Sequence, residues 1–191
     1  KPKINQNLIN DSNMTFKTLN DLLNSLDGQA YLIYYILINY NVRNQDLLIE
    51  YTDNKKVIND VIKSKLHKNV IYKSKNEYIY IRGDYKTVKI YGVKKHIIFD
   101  TKFIEIMNNK PKNNALLVNN QEKPYKNNQI SNLIKSIGNK YEPNSGLTQQ
   151  LIYKVINNHY EMTNDHKKLL EISSNRAHSL DVQKSHYSSI Q

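Results

Sequence analysis

Apolar positions in the first quarter of the chain follow a helical period. Leu19, Leu22, Leu23 and Leu26 form one stripe, and Tyr31, Ile33, Tyr34, Leu37 and Ile38 a second, so the spacing predicts two helices between Thr15 and Tyr40, separated at Asp27-Gly28. Residues 1–14 are polar and read as a flexible lead-in or linker. The short apolar run Leu47 to Tyr51 fits neither period decisively. Alternation takes over in the middle. Val70 and Tyr72, then Tyr78 and Tyr80, alternate around Lys73-Ser74-Lys75-Asn76, a hairpin signal, and Arg82-Gly83-Asp84 marks a second turn. Val88 and Ile90, then Ile97, Ile98 and Phe99, predict a third strand broken at Gly92. The helical period returns with Phe103, Ile104 and Met107, stopping before Pro111. Ala115 to Val118 is an extended run closed by a turn at Glu122-Lys123-Pro124. Ile130, Leu133, Ile134 and Ile137 then mark an amphipathic helix ending at Gly138, and Leu147–Tyr160 and Asp165–Ile172 two more, with a short last one over 181–190. Helices, a small sheet, then helices predict an α+β domain, mainly helical, with a three-stranded antiparallel sheet and spanning residues 15–191.

Composition narrows the chemistry. A chain of 191 residues holds one domain or one and a half and can bury a real core. It has no cysteine, which removes disulfides, thiolate nucleophiles and cysteine-type zinc sites. Its longest apolar stretch, Ala30 to Ile38, is far short of the roughly 20 residues a membrane span needs. The Lys-Pro-Lys start followed by polar residues carries no leader pattern, so a soluble intracellular setting is expected. Lys and Arg exceed Asp and Glu by 28 to 17, a formal charge of +11, which points to a polyanion and first to nucleic acid. Only Arg43, Arg82 and Arg176 are arginines, and Asn, Ile and Tyr abound, the bias of an AT-rich genome; part of the lysine excess therefore carries no functional message. The histidines His159, His166, His178 and His186 lack helical metal-ligand spacing and a carboxylate cluster, so no metal is expected.

Four short motifs give the charge a direction. His178-Ser179 is followed by Tyr187, nine residues after the histidine, with Gln183 between. Upstream stand Asn41-Val42-Arg43-Asn44-Gln45-Asp46-Leu47, following two helices, and Tyr85-Lys86-Thr87 through Tyr91-Gly92, just after the hairpin. Leu116–Val118, Lys123-Pro124 and the helix from Gln129 to Ile137 complete the order. Together these resemble the catalytic domain of the tyrosine recombinase (phage-integrase) family, over roughly residues 15–190. The chain resembles members from large DNA viruses and virophages, which together with the AT-rich composition implies such a virus, its virophage or another mobile element as source.

The resemblance implies a chemistry without metal or nucleotide cofactor. Attack of a tyrosine on a DNA phosphodiester builds negative charge on phosphoryl oxygens, which fixed cations stabilise. Arg43 is implied as a clamp on the scissile phosphate, Lys86 as the acid that protonates the leaving 5′ oxygen, and His178 as a hydrogen-bond donor to a non-bridging oxygen. Tyr187 is the implied nucleophile, forming a 3′-phosphotyrosine link. Lys154, Arg176, Lys89, Lys94 and Lys95 are the accompanying nucleic-acid contacts. Double-stranded DNA is the implied partner, and a tetramer on paired sites the implied assembly. The locations implied are a host nucleus, a cytoplasmic viral factory or a virion. Residues 1–14 are too short to be the DNA-clamping domain that family members carry, which leaves a fragment or a looser grip on DNA.

One box departs from the pattern. Where the family has His-x-x-Arg, this chain has Gln150 and Tyr153, and no arginine stands between Arg82 and Arg176. A tyrosine does not replace a bidentate guanidinium, and Lys154 beside it replaces it only as a point charge. Loss of one such donor costs on the order of 10²- to 10³-fold in comparable oxyanion sites. Two readings share this fold: a working recombinase, and a catalytically degenerate homologue kept for DNA binding or as a structural protein of a virion or nucleoprotein. In a third, a basic helical protein binds nucleic acid without sequence preference, and Arg43, Lys86, His178 and Tyr187 lie far apart. Each residue also has a plainer reading. Tyr187 is one of 15 tyrosines, Lys86 a solvated turn residue, His178 a surface histidine, and the tyrosine-rich strands are sheet packing.

Overall fold

The computed structural model describes residues 14–176. Their contacts gather into two compact units, residues 14–43 with 131–176, and residues 44–130. The helix 181–190 expected from the sequence lies outside the described residues.

The first unit is helical. Helix α1 (Phe16–Ser25) begins where the Thr15 hydroxyl accepts from the Thr18 N–H, and buries the predicted stripe Leu19, Leu22 and Leu23. Helix α2 (Gly28–Tyr40) is capped by Asp27 and buries residues on every side, from Tyr31 through Ile38, as a central helix must. It ends at Asn41, which takes the left-handed conformation at φ 53°. Later in the chain α6 (Asn127–Tyr141), α7 (Gln149–Met162) and α8 (His166–Arg176) complete this unit. Thr148 caps α7 and Asp165 caps α8 through its carboxylate. Helix α2 packs on α7 and α8, and the Tyr34 hydroxyl donates to the Ile134 carbonyl at 2.6 Å. Gly138 permits that approach: a Cβ there would stand 2.8 Å from the Leu147 side chain and 3.0 Å from the Tyr34 hydroxyl.

The second unit is built on a sheet. A 3-10 turn (Asn44–Leu47) leads into β1 (Ile49–Tyr51), α3 (Lys55–Ile62), β2 (Asn69–Ser74) and β3 (Glu77–Arg82). A four-residue helix α4 (Val88–Tyr91), β4 (Lys94–Ile98), α5 (Thr101–Asn108) and β5 (Asn114–Ala115) follow. The strand order is β4-β3-β2-β1-β5, with β1 parallel to β2 and the remaining pairs antiparallel. Val61 of α3 packs with Val70, Ile79 and Ile81 on one face. On the other face lie Tyr78, Tyr80 and Arg82, all fully buried. Tyr78 donates to Asn108 at 2.8 Å, which docks α5 there.

The α+β class stands as the pattern predicts, but the sheet does not. It has five strands and is mixed, where three antiparallel strands were expected. Strands β1 and β5 have three and two residues, too few to show an alternating period. The Val88–Ile90 strand is a correction as well: these residues are helical, and β4 starts only at Lys94. Their alternation does not report burial, since Ile90 and Tyr91 both face solvent. Helix α3 was not foreseen, although Asn54 capping two amides ahead of Val57, Ile58 and Val61 is a readable signal.

Candidate phosphate-handling groups

In the helical unit the two arginines interlock. Arg43, half-buried just beyond the α2 cap, donates from Nη1 to the Arg176 carbonyl at 2.8 Å. Arg176 reaches back from the last residue of α8, its Nη1 donating to the Val42 carbonyl at 2.9 Å and to Asn41 at 3.4 Å. Helix C-terminal carbonyls carry partial negative charge and attract a cation, so the pairing is favourable from both sides. The Arg176 guanidinium also lies 4.6 Å from the ring centre of Tyr153. Arg176 is 1% exposed and Tyr153 equally buried. The aligned second-box position therefore holds a ring that supports a guanidinium arriving from α8. Lys154, next on α7, is 2% exposed, and burial lowers its amine below the ordinary lysine range.

The sheet unit carries the lysines. Lys86 is exposed in the β3–β4 connection, and Lys89 follows it on α4. This loop is closed at its base by the Tyr85 hydroxyl donating to the Gly92 carbonyl. Tyr85 itself is buried beneath the Arg82 guanidinium, 4.9 Å from its ring centre. Arg82 in turn meets Asp46 at 2.9 Å, an ion pair with both side chains essentially buried, and Tyr80 donates to the Asp46 carbonyl. Upstream, Asn69 grips the Asp84 backbone through both its amide atoms, at 2.8 and 2.9 Å. Gly83 is forced here: a Cβ would stand 2.5 Å from the Lys68 carbonyl oxygen. Lys94 and Lys95 stand on β4, an edge strand of the sheet. Burial, helped by the Arg82 charge, lowers Lys94, and burial with the charges of Arg82 and Lys94 pushes His96 down to about 3.

The predicted residues thus fall into two sets: Arg43, Arg176 and Lys154 in one unit, and Lys86, Lys89, Lys94 and Lys95 in the other. Catalytic candidates His178 and Tyr187 lie outside the described residues. Sequence reasoning missed Asp46, Arg82 and Tyr85 as a cluster. The rarity of arginine, which drew attention to Arg43, marks Arg82 equally. A cavity of about 410 Å³ beside β1, bordered by Glu50, Lys68, Asn69 and Tyr125, holds none of the candidates. Among the described residues no group of histidines and carboxylates is arranged to hold a metal ion, and no helix is long and apolar enough to cross a membrane.

No family model matches the chain, and no curated protein matches it in sequence. Among solved structures it is similar to the crystal structure of XerA recombinase, with a TM-score of 0.57 and 13% identity, over 93% of this chain and 58% of that one. The chain thus spans less than two thirds of the XerA chain. At this identity the likeness is one of fold, and the α+β fold described above is tyrosine-recombinase-like.

Proposed function

We propose that residues 15–191 are the catalytic domain of a DNA strand-cleaving and rejoining protein of the tyrosine recombinase type. The observation that carries this is the recombinase-like fold of a chain whose motifs occur in the family's order. In this reading Tyr187 attacks the scissile phosphorus, and Arg43 steadies the charge that builds on the phosphoryl oxygens. Lys86, exposed on a pinned loop, gives its proton to the departing 5′ oxygen, and His178 donates to a non-bridging oxygen. Lys89, Lys94 and Lys95 meet backbone phosphates without reading sequence. Arg176, turned inward onto carbonyls and a ring, supports Arg43 instead of touching DNA. A viral or mobile-element origin and assembly on paired sites belong to the same proposal.

The decisive experiment is a search for an SDS-resistant protein–DNA adduct on nicked duplexes and supercoiled plasmid. An adduct in the native protein and none in Tyr187→Phe is the expected result; an equal adduct in Tyr187→Phe refutes the assignment. Binding should weaken steeply with salt, as counterion release requires. Salt-independent retention on DNA counts against the role of the lysines.

The second reading, a degenerate homologue that binds DNA without cutting it, rests on Gln150 and Tyr153 standing where the family has His-x-x-Arg. DNA binding with no adduct in any variant, Tyr153→Arg included, selects that reading.

A further inference from the structure

Arg82 has no place among the groups assigned above, yet it touches both segments that matter in its unit. One side of its guanidinium pairs with Asp46, inside the turn that starts immediately after Arg43. Its face covers Tyr85, the residue before Lys86. Tyr85 closes the loop onto Gly92, and the loop is stitched within by amides of Val88, Ile90, Tyr91 and Gly92 bonding to Tyr85, Thr87 and Val88 carbonyls. The outward side chains of this loop, Lys86, Lys89, Ile90 and Tyr91, are exposed, so little else within it can hold its shape. A long cationic side chain on a loop loses effective concentration at its target unless the backbone beneath it is fixed. A flexible lysine in place of Arg82 could form the ion pair or cover the ring, but a planar guanidinium does both at once.

We infer that Arg82 is a positioning residue: it ties the Asn44–Leu47 turn to the base of the Lys86 loop and thereby fixes where the Lys86 ammonium is presented. The inference rests on the proposed function for what Lys86 is presented to, but not for the anchoring itself. In the cleavage step the Tyr187 oxygen, its proton released to water, forms a bond to phosphorus. The bond from phosphorus to the 5′ oxygen breaks, and that oxygen keeps the electron pair and takes a proton from Lys86. A sulfur in the bridging position leaves as a thiolate and needs no proton, so it bypasses Lys86 and whatever positions it.

Two measurements on the full chain test the inference. Removing one buried partner endangers folding, so the main variants are the double change Arg82→Met with Asp46→Leu, which leaves no unpaired charge, and Tyr85→Leu. Hydrogen exchange of the 88–92 amides should speed at least tenfold in both variants, with the β2–β3 hairpin unchanged. Unaltered exchange over 88–92, or a uniform rise across the chain, overturns the anchoring role. In the second measurement, adduct formation on an ordinary phosphodiester should fall at least tenfold in both variants and in Lys86→Ala, and a 5′-bridging phosphorothiolate should restore it to within threefold of native. An unrescued loss in the loop variants beside a rescued Lys86→Ala overturns presentation of Lys86. If native protein forms no adduct on either substrate, the cleavage reading fails, presentation fails with it, and exchange alone decides the anchoring.

Discussion

Each unit of the molecule buries one whole arginine, and the two are handled differently. In the sheet unit Arg82 meets the Asp46 carboxylate, so an anion balances its charge, which is still felt at Lys94 and His96. In the helical unit Arg176 meets the carbonyls at the end of α2 and the face of Tyr153, partners that stabilise a cation without cancelling it. The first arrangement makes a paired joint, with the exposed lysines nearby on the surface. The second keeps a guanidinium beside Arg43, whose side chain it also holds by a backbone carbonyl. Similar burial of the same residue type is therefore balanced in two different ways, and partner chemistry decides between them.

The contrast is open to direct attack. Arg82→Met should cost about 3–5 kcal/mol in urea unfolding, because Asp46 is left buried and charged, and adding Asp46→Leu should recover most of it. Failure of the second change to restore stability would mean that Arg82 acts through its other contacts. Acid should destabilise the sheet unit next. The folded His96 stays neutral down to about 3, whereas the unfolded residue gains a proton below its ordinary value near 6.5. Stability is thus fully present above 6.5 and falls as pH drops from there toward 3, by up to about 1.4 kcal/mol per unit and less to the extent that solvent reaches the ring. His96→Gln should flatten that slope in a series of unfolding curves. Arg176→Met should cost less than Arg82→Met, about 1–3 kcal/mol, since it strands neutral carbonyls instead of an ion. A cost equal to that of Arg82→Met would erase the distinction between the two sites.

Much of the helical unit is legible without coordinates. Leu19, Leu22 and Leu23 repeat at 3.6-residue spacing next to a capping threonine, and both the period and the cap are local properties. The tyrosine-rich hairpin is legible for the same reason, since pairing across two residues is set by nearby sequence. Strand β1 is not, because its three residues become a strand only by lying parallel to β2 across the intervening α3. The loop after Arg82 misleads because Val88 and Ile90 alternate in sequence yet ride on a helical turn shaped by Tyr85 and Gly92.

By itself the sequence determined the class of the fold, the order of the motifs, the excess of positive charge and the absence of thiol chemistry, all properties of composition and short-range spacing. Tertiary structure alone decided what each arginine does. Arg43, Arg82 and Arg176 differ little as letters in a basic chain, and Arg176 and Asn41 are 135 residues apart when they meet. Whether a guanidinium faces a carboxylate, a carbonyl or a ring depends on chain segments distant in sequence, and that choice sets how its charge is balanced, its exposure and its use.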